Sequence, residues 1–211
     1  MAVSYPLSLP NLKVASIAFT PRGKVSVSES EFTFQQQVAR HQGQRWEATI
    51  ELPPMPRASA AAWLAFFTAL NGREGTFYLQ DTAQTTTRGT LTGTLQVGYG
   101  AAIRGTYLPL QSDGGEYGNI GGILGWEDNP PNGSLAVGDF LQIGTYLYMV
   151  VVVNDASSVE VWPRLRAAHE QGTTITYTSA KGIFRLVEPV SWRIGKDKII
   201  EPIFVQAVEA I

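Results

Sequence analysis

The chain contains no cysteine and only two histidines. The first absence removes disulfides, thiolate nucleophiles and Cys-ligated zinc together, and the second leaves too few imidazoles for a histidine-rich metal centre. Charge is scarce as well. Asp, Glu, Lys and Arg make up 16% of the residues, against about 25% in an average soluble domain. Disordered chains need the opposite balance, and 44% of this one is hydrophobic. A formal net charge of −2 offers no basic footprint for nucleic acid or an anionic bilayer. The longest apolar block, Tyr146 to Val153, is far short of the ~20 residues of a membrane span. Met1 to Pro10 has no basic region and is broken by Pro6 and Pro10, so it does not read as a signal peptide.

What is present is alternation. Across Arg45 to Leu52, Trp46, Ala48, Ile50 and Leu52 point one way and Arg45, Glu47, Thr49 and Glu51 the other, the signature of a half-buried antiparallel strand. Lys13–Phe19 and Lys24–Phe34 read as earlier strands joined by a turn at Pro21-Arg22-Gly23. Phe77–Leu79, Phe184–Val187, Val190–Ile194 and Ile203–Val208 read as further strands. One segment departs from this period. Ser59–Leu70 places Trp63, Phe66, Phe67 and Leu70 at helical spacing and stops at Asn71-Gly72, so a single helix with an aromatic stripe is expected to lie across a sheet.

The middle of the chain has another texture. It is rich in Thr and Gly from Thr85, then irregular from Gln111 to Ser134, before strands resume at Phe140–Ile143, Tyr146–Val153, Val159–Trp162 and Thr174–Tyr177. The expected fold is therefore mainly β. Residues 1–84 and 182–211 form a β-sandwich with one α-helix, and residues 85–181 form an inserted small β-barrel.

No catalytic set emerges. The chain has no GxSxG elbow, HExxH, P-loop, or GxGxxG after a strand. His41, in a polar stretch from Arg40 to Arg45 that reads as a turn, and His169 are expected to be solvated or interfacial. Asp113, Glu116, Glu127 and Asp128 lack the Asp/Asn alternation of a Ca²⁺ loop and read as solvated loop charge. Tyr117 and Trp126 in the same loop read first as loop anchors and second as an outer contact for a sugar or a partner protein. Asp139 is expected to brace its own turn. No catalytic residue, cofactor or metal ligand is assigned.

Three stretches in order resemble the distal tail proteins of long-tailed, siphovirus-type bacteriophages. They are the N-terminal sandwich through Leu70-Asn-Gly-Arg-Glu-Gly-Thr-Phe-Tyr-Leu79; Leu135 to Gly144 with Tyr146–Val153 and Val161–Arg166; and Lys181–Leu186 with Trp192 and the closing Phe204–Ala210. The resemblance covers nearly the whole chain and lies in the order of these stretches. It implies a structural virion protein without catalysis. Six copies would form a ring at the distal end of the tail tube, joining the tube protein to the baseplate hub, with the inserted barrel similar to an OB-fold. The implied location is the virion tail tip, after assembly in the host cytoplasm. The implied partners include receptor-binding or tail-fibre proteins, with no membrane insertion and no sequence-specific nucleic-acid binding. DNA passing through the lumen would call for a neutral or acidic wall, since a basic one would hold phosphates.

Within that frame, the Phe34 to Trp46 region is expected to reach a neighbouring subunit, with Gln35, Gln36, Gln37, Arg40 and Arg45 as the candidate interface residues, because long amide and guanidinium side chains offer many donors. An exposed hairpin tip is the competing reading of the same residues. A carbohydrate-binding adhesin module using Tyr117 and Trp126 is the alternative function, and a hydrolase using Asp113 and Glu127 is the weakest reading.

Overall fold

The alternation from Trp46 to Leu52 becomes the inner part of a long strand whose even-numbered residues are buried. The computed structural model describes residues 3–11, 14–99, 105–112, 117–120, 123–126, 130–195 and 197–211, with backbone alone for 117–120 and 123–126. The fold is mainly β, with one helix and a closed six-stranded barrel. In chain order the first elements are β1 (Ser16–Glu29), β2 (Gln36–Leu52), β3 (Met55–Pro56), α1 (Arg57–Ala69) and β4 (Thr76–Gln80). The middle holds β5 (Leu95–Val97), β6 (Tyr107–Gln111), β7 (Tyr117–Ile120), β8 (Ile123–Trp126), β9 (Phe140–Ile143), β10 (Tyr146–Asp155), β11 (Ser158–Trp162) and β12 (Thr174–Thr176). The chain closes with β13 (Lys181–Leu186), β14 (Ile199–Ile200) and β15 (Ile203–Glu209).

Two compact units result: Met1–Phe77 with Phe184–Ile211, and Tyr78–Ile183. The expected insert spans 85–181. Both crossings fall inside strands, β4 outward and β13 inward, which are neighbours in one sheet. An inserted unit needs its two ends close together, and adjacent strands supply that.

The first unit is built on the sheet β1-β2-β15-β13-β4. Its inner face carries Trp46, Ile50, Leu52, Phe184 and Val205, all buried. Phe19 sets its ring edge against Trp46 at 6.1 Å and Phe184 at 6.0 Å. Helix α1 has no side-chain N-cap, no acid in its first turn and no base in its last. Packing therefore holds it. Trp63 stacks on Phe67 at 5.7 Å, while Phe66 meets Phe67 at 5.5 Å and Phe77 of β4 at 5.7 Å, both edge-on. Aromatic pairs of this kind add about 1 kcal/mol each beyond the area they bury. The helix ends at Asn71 and Gly72, both at positive φ, and Tyr5 donates its hydroxyl to the Ala69 carbonyl at 2.6 Å.

Three local expectations are corrected. Pro21-Arg22-Gly23 is no turn: β1 runs through it, paired to β2 on both sides, with a register shift between Gly23 and Val25. Pro is tolerated there because β1 is the sheet edge, where its missing N–H would face outward. Val190–Ile194 forms no strand. It follows Pro189, and only Ile194 bridges, to Ile200. Gln111–Ser134 is not irregular throughout, since β7 and β8 pair within it.

The second unit closes as β10-β11-β6-β5-β12-β9, antiparallel at every junction. Closure removes free sheet edges, and the interior is filled by Leu95, Leu108, Leu141, Tyr148, Val150 and Val161. The segment entering the barrel is tied to one carboxylate. Asp139 is 1% exposed and follows Gly138, whose φ is +91°. It braces its own turn by accepting from Ala136 N–H at 2.8 Å. It also accepts from Gln84 Nε2 at 2.8 Å, from Arg88 N–H at 3.1 Å and from the Thr87 hydroxyl. The Arg88 Nε lies 3.8 Å away. Removing such an acceptor leaves several partly buried donors unpaired. Asp139→Ala is expected to lower the stability of the chain by about 3 kcal/mol, measured by urea unfolding; a loss within experimental error would mean that this carboxylate is not what fixes the 84–89 segment.

Candidate assembly interface

Strand β2 pairs with β15 only from Leu52 to Glu47, whereas its pairing with β1 continues to Gln36. The remainder is a two-stranded arm that leaves the sheet, about 35 Å long at roughly 3.3 Å per residue. Two details finish the junction. Trp46 N–H lies where β15 ends, and it donates to the carboxylate of Glu209 at 3.0 Å. Arg22 and Arg45 face each other across the strands, and Glu47 bridges both, 3.5 Å from Arg22 Nε and 2.8 Å from Arg45 Nη2.

Beyond that point both faces of the arm are exposed. Directly paired residues share a face. Val27 opposes Val38 and Val25 opposes Arg40, on the face that continues the inner face of the sheet. Val25, Val27 and Val38 are 52%, 60% and 57% exposed. Ser26, Ala39 and His41 occupy the other face, where Ser26 Oγ and His41 Nε2 are 3.1 Å apart. The tip turns at Ser30, whose carbonyl accepts from Phe34 N–H at 2.9 Å and whose N–H donates to the Gln35 carbonyl at 3.0 Å. Phe34 takes a positive φ of 55°, and Phe32 and Phe34 are 94% and 75% exposed.

Such a ribbon is marginal by itself in water, since two strands need a third layer to bury an apolar face. Its outer edge is guarded against strand addition by Pro21, Lys24 and the register shift between Gly23 and Val25. The faces and the tip are what remain for a partner.

The candidate residues distribute unevenly over this arm. Gln35 closes the tip turn, Gln36 and Arg40 share the valine face, and Gln37 and Arg45 lie on the opposite one. The stretch from Arg40 to Arg45 is not a turn but mid-strand; the turn lies at 30–35. Gln36 Nε2 donates to Glu29, and Arg45 is held by Glu47. Arg40 has no hydrogen-bond or ion-pair partner among the described residues. The residues that sequence reading passed over are Val25, Val27 and Phe32; Phe34 and Val38 lie within the Phe34 to Trp46 region expected to reach a neighbour but were not singled out. The Val-Ser alternation at 25–28 was their signal, obscured because Pro-Arg-Gly imitates a turn and the real turn lacks Gly, Pro and Asn.

In the second unit, Tyr117 and Trp126 are direct cross-strand partners in the β7–β8 hairpin. Asp113, Glu116, Glu127 and Asp128 lie outside the described residues. Among the described residues no three His, Asp or Glu side chains cluster closely enough to hold a metal ion, and no helix is long and apolar enough to cross a membrane. His169 is neither solvated nor at a surface. It is 9% exposed, sets its ring edge to Tyr148 at 6.4 Å, and leaves Nε2 without a hydrogen bond. Burial pushes its pKa below the ordinary 6.5. The unfolded chain therefore binds a proton that the folded chain resists, and stability falls as pH drops below about 6.5. Unfolding free energy is expected to be lower at pH 5 than at pH 7, and His169→Gln should flatten that decline; an unchanged slope in denaturant titrations would assign the acid sensitivity elsewhere.

No protein-family model matches the chain, and no curated protein matches it.

Proposed function

We propose that this chain is a structural virion protein whose copies, six to a ring, cap the distal end of a long-tailed phage's tail tube and join it to the baseplate hub. The observation that carries this reading is the arm. It is a ribbon that leaves its own sheet with exposed valines on one face and two exposed phenylalanines at its tip. Apolar surface of that kind is stabilised when a neighbouring molecule covers it, and closed rings arise when each copy offers one surface and accepts another. The ordered sequence resemblance supplies the context of a phage tail. The role is non-catalytic, with the tube and hub proteins as partners and receptor-binding or fibre proteins as further ones. It is exercised at the virion tail tip after assembly in the host cytoplasm.

A second reading, a carbohydrate-binding adhesin module, draws on the β7–β8 hairpin, which puts Tyr117 opposite Trp126. Glycan binding by the full chain that disappears in Tyr117→Ala and Trp126→Ala variants would favour it. The ring reading is tested by the solution mass of the purified protein. Six times the chain mass of 23.0 kDa is expected at high concentration, and a strictly monomeric particle that is absent from the tail tip of imaged virions would overturn the proposal. Arg40→Glu with Arg45→Glu should weaken assembly by about tenfold or more. Most of that loss should come from Arg40, because Arg45 is already paired to Glu47 in its own chain.

A further inference from the structure

The first unit has a second exposed apolar surface, remote in sequence from the arm. Residues 192–195 and 197–199 make up a small exposed projection. Gly195 N–H donates to the Ile199 carbonyl at 2.8 Å, Lys198 N–H to the Gly195 carbonyl at 3.1 Å, and Glu201 N–H to the Arg193 carbonyl at 3.1 Å. It is anchored from below by Ile200, buried and paired to Met55. Trp192, Ile194 and Ile199 face outward, 41%, 57% and 43% exposed. Arg193 and Lys198 are exposed among them and have no side-chain partner among the described residues.

The tip of the arm has the complementary character. Residues 28–34 carry Glu29 and Glu31, no base, and the two exposed phenylalanines. Residues 192–199 carry Arg193, Lys196 and Lys198 against the single acid Asp197. An acidic aromatic tip and a basic apolar projection therefore sit on the same unit of one chain, each uncovered within it.

We propose that the arm tip of one copy docks on the 192–199 projection of the next copy. Phe32 and Phe34 cover Trp192, Ile194 and Ile199, and Glu31 lies opposite Arg193 and Lys198. The inference rests on the ring reading above and names the surface that receives the arm. Three features select this occupant. Opposite charge pairs tip with projection, while like charge opposes tip with tip and projection with projection, so wrong pairings are disfavoured as well. Aromatic side chains at a desolvated centre beside an Arg are the residue types that dominate binding energy. Because the two surfaces differ, the contact is heterologous, so copies add head to tail until the circle closes.

The chain has no cysteine, which makes the test clean. A variant carrying Phe32→Cys and Ile194→Cys is treated with a short bis-maleimide linker at a concentration where the wild-type chain is assembled. A ladder of covalent species rising to the ring number is expected. Mixing the two single-cysteine variants should give linked pairs and nothing larger. A looped monomer as the only product would show that the arm folds back on its own chain, and it would overturn the proposal. Assembled wild-type protein with no ladder would overturn this docking site and leave the ring intact. A wild-type chain that stays monomeric would overturn both. Charge reversal supplies the second readout. Glu31→Arg is expected to weaken assembly about tenfold, and Arg193→Glu with Lys198→Glu in the same chain should restore it; failure to restore would remove the proposed pairing.

Discussion

A two-stranded ribbon can satisfy its internal backbone hydrogen bonds, yet it has no interior in which to bury side chains. The pairing of β1 with β2 is therefore two structures in one. Near Ile50 it belongs to a five-stranded sheet with a covered face; near Val27 it is a bare ribbon. The change occurs over a few residues, and two carboxylates act there. The Glu209 carboxylate takes the N–H that β15 no longer pairs, and Glu47 sits between two arginines that would otherwise repel. Exposed ion pairs are worth little for stability. Here they offset the like charge of two arginines placed directly opposite each other.

Much of the core was legible in the residues because burial imposes a period. Trp46 to Leu52 alternates because one side meets the sheet interior, and Trp63, Phe66, Phe67 and Leu70 recur at helical spacing because one side of α1 does. The same logic explains the failures. Outside the core nothing forces a period, so the arm looked like two strands with a turn at Pro21, and its true tip went unseen. Strand β6 was passed over because Pro109 interrupts it, although its neighbours Leu108 and Leu110 are buried. His169 offered no pattern, since a lone imidazole buried against Tyr148 leaves no trace in the residues around it. Gln36 and Arg40 were legible as candidate contacts by type. Their sharing a face with Val38 follows from register alone.

Scarce charge also takes on a location. Apart from Arg57 at its start, the exposed side of α1 presents Ala58, Ser59, Ala61, Ala62, Ala65 and Thr68, where a solvated helix would ordinarily show Lys and Glu. The valine face of the arm is similarly bare apart from Arg40 and Glu29. Charge is instead spent at particular places: on Asp139, which holds the entry to the barrel, and on Glu209, which finishes the sheet.

The position of β15 has a further consequence for how the protein comes into being. In the sheet it lies between β2 and β13, yet it is synthesised after both. At about 5–20 residues per second, β2 waits on the order of ten seconds or more for that partner. The barrel's strands all emerge earlier and can pair among themselves, whereas the sheet that roots the arm remains open. Until residues 203–209 have been made, β2 has no partner on that side and the sheet cannot take its final order.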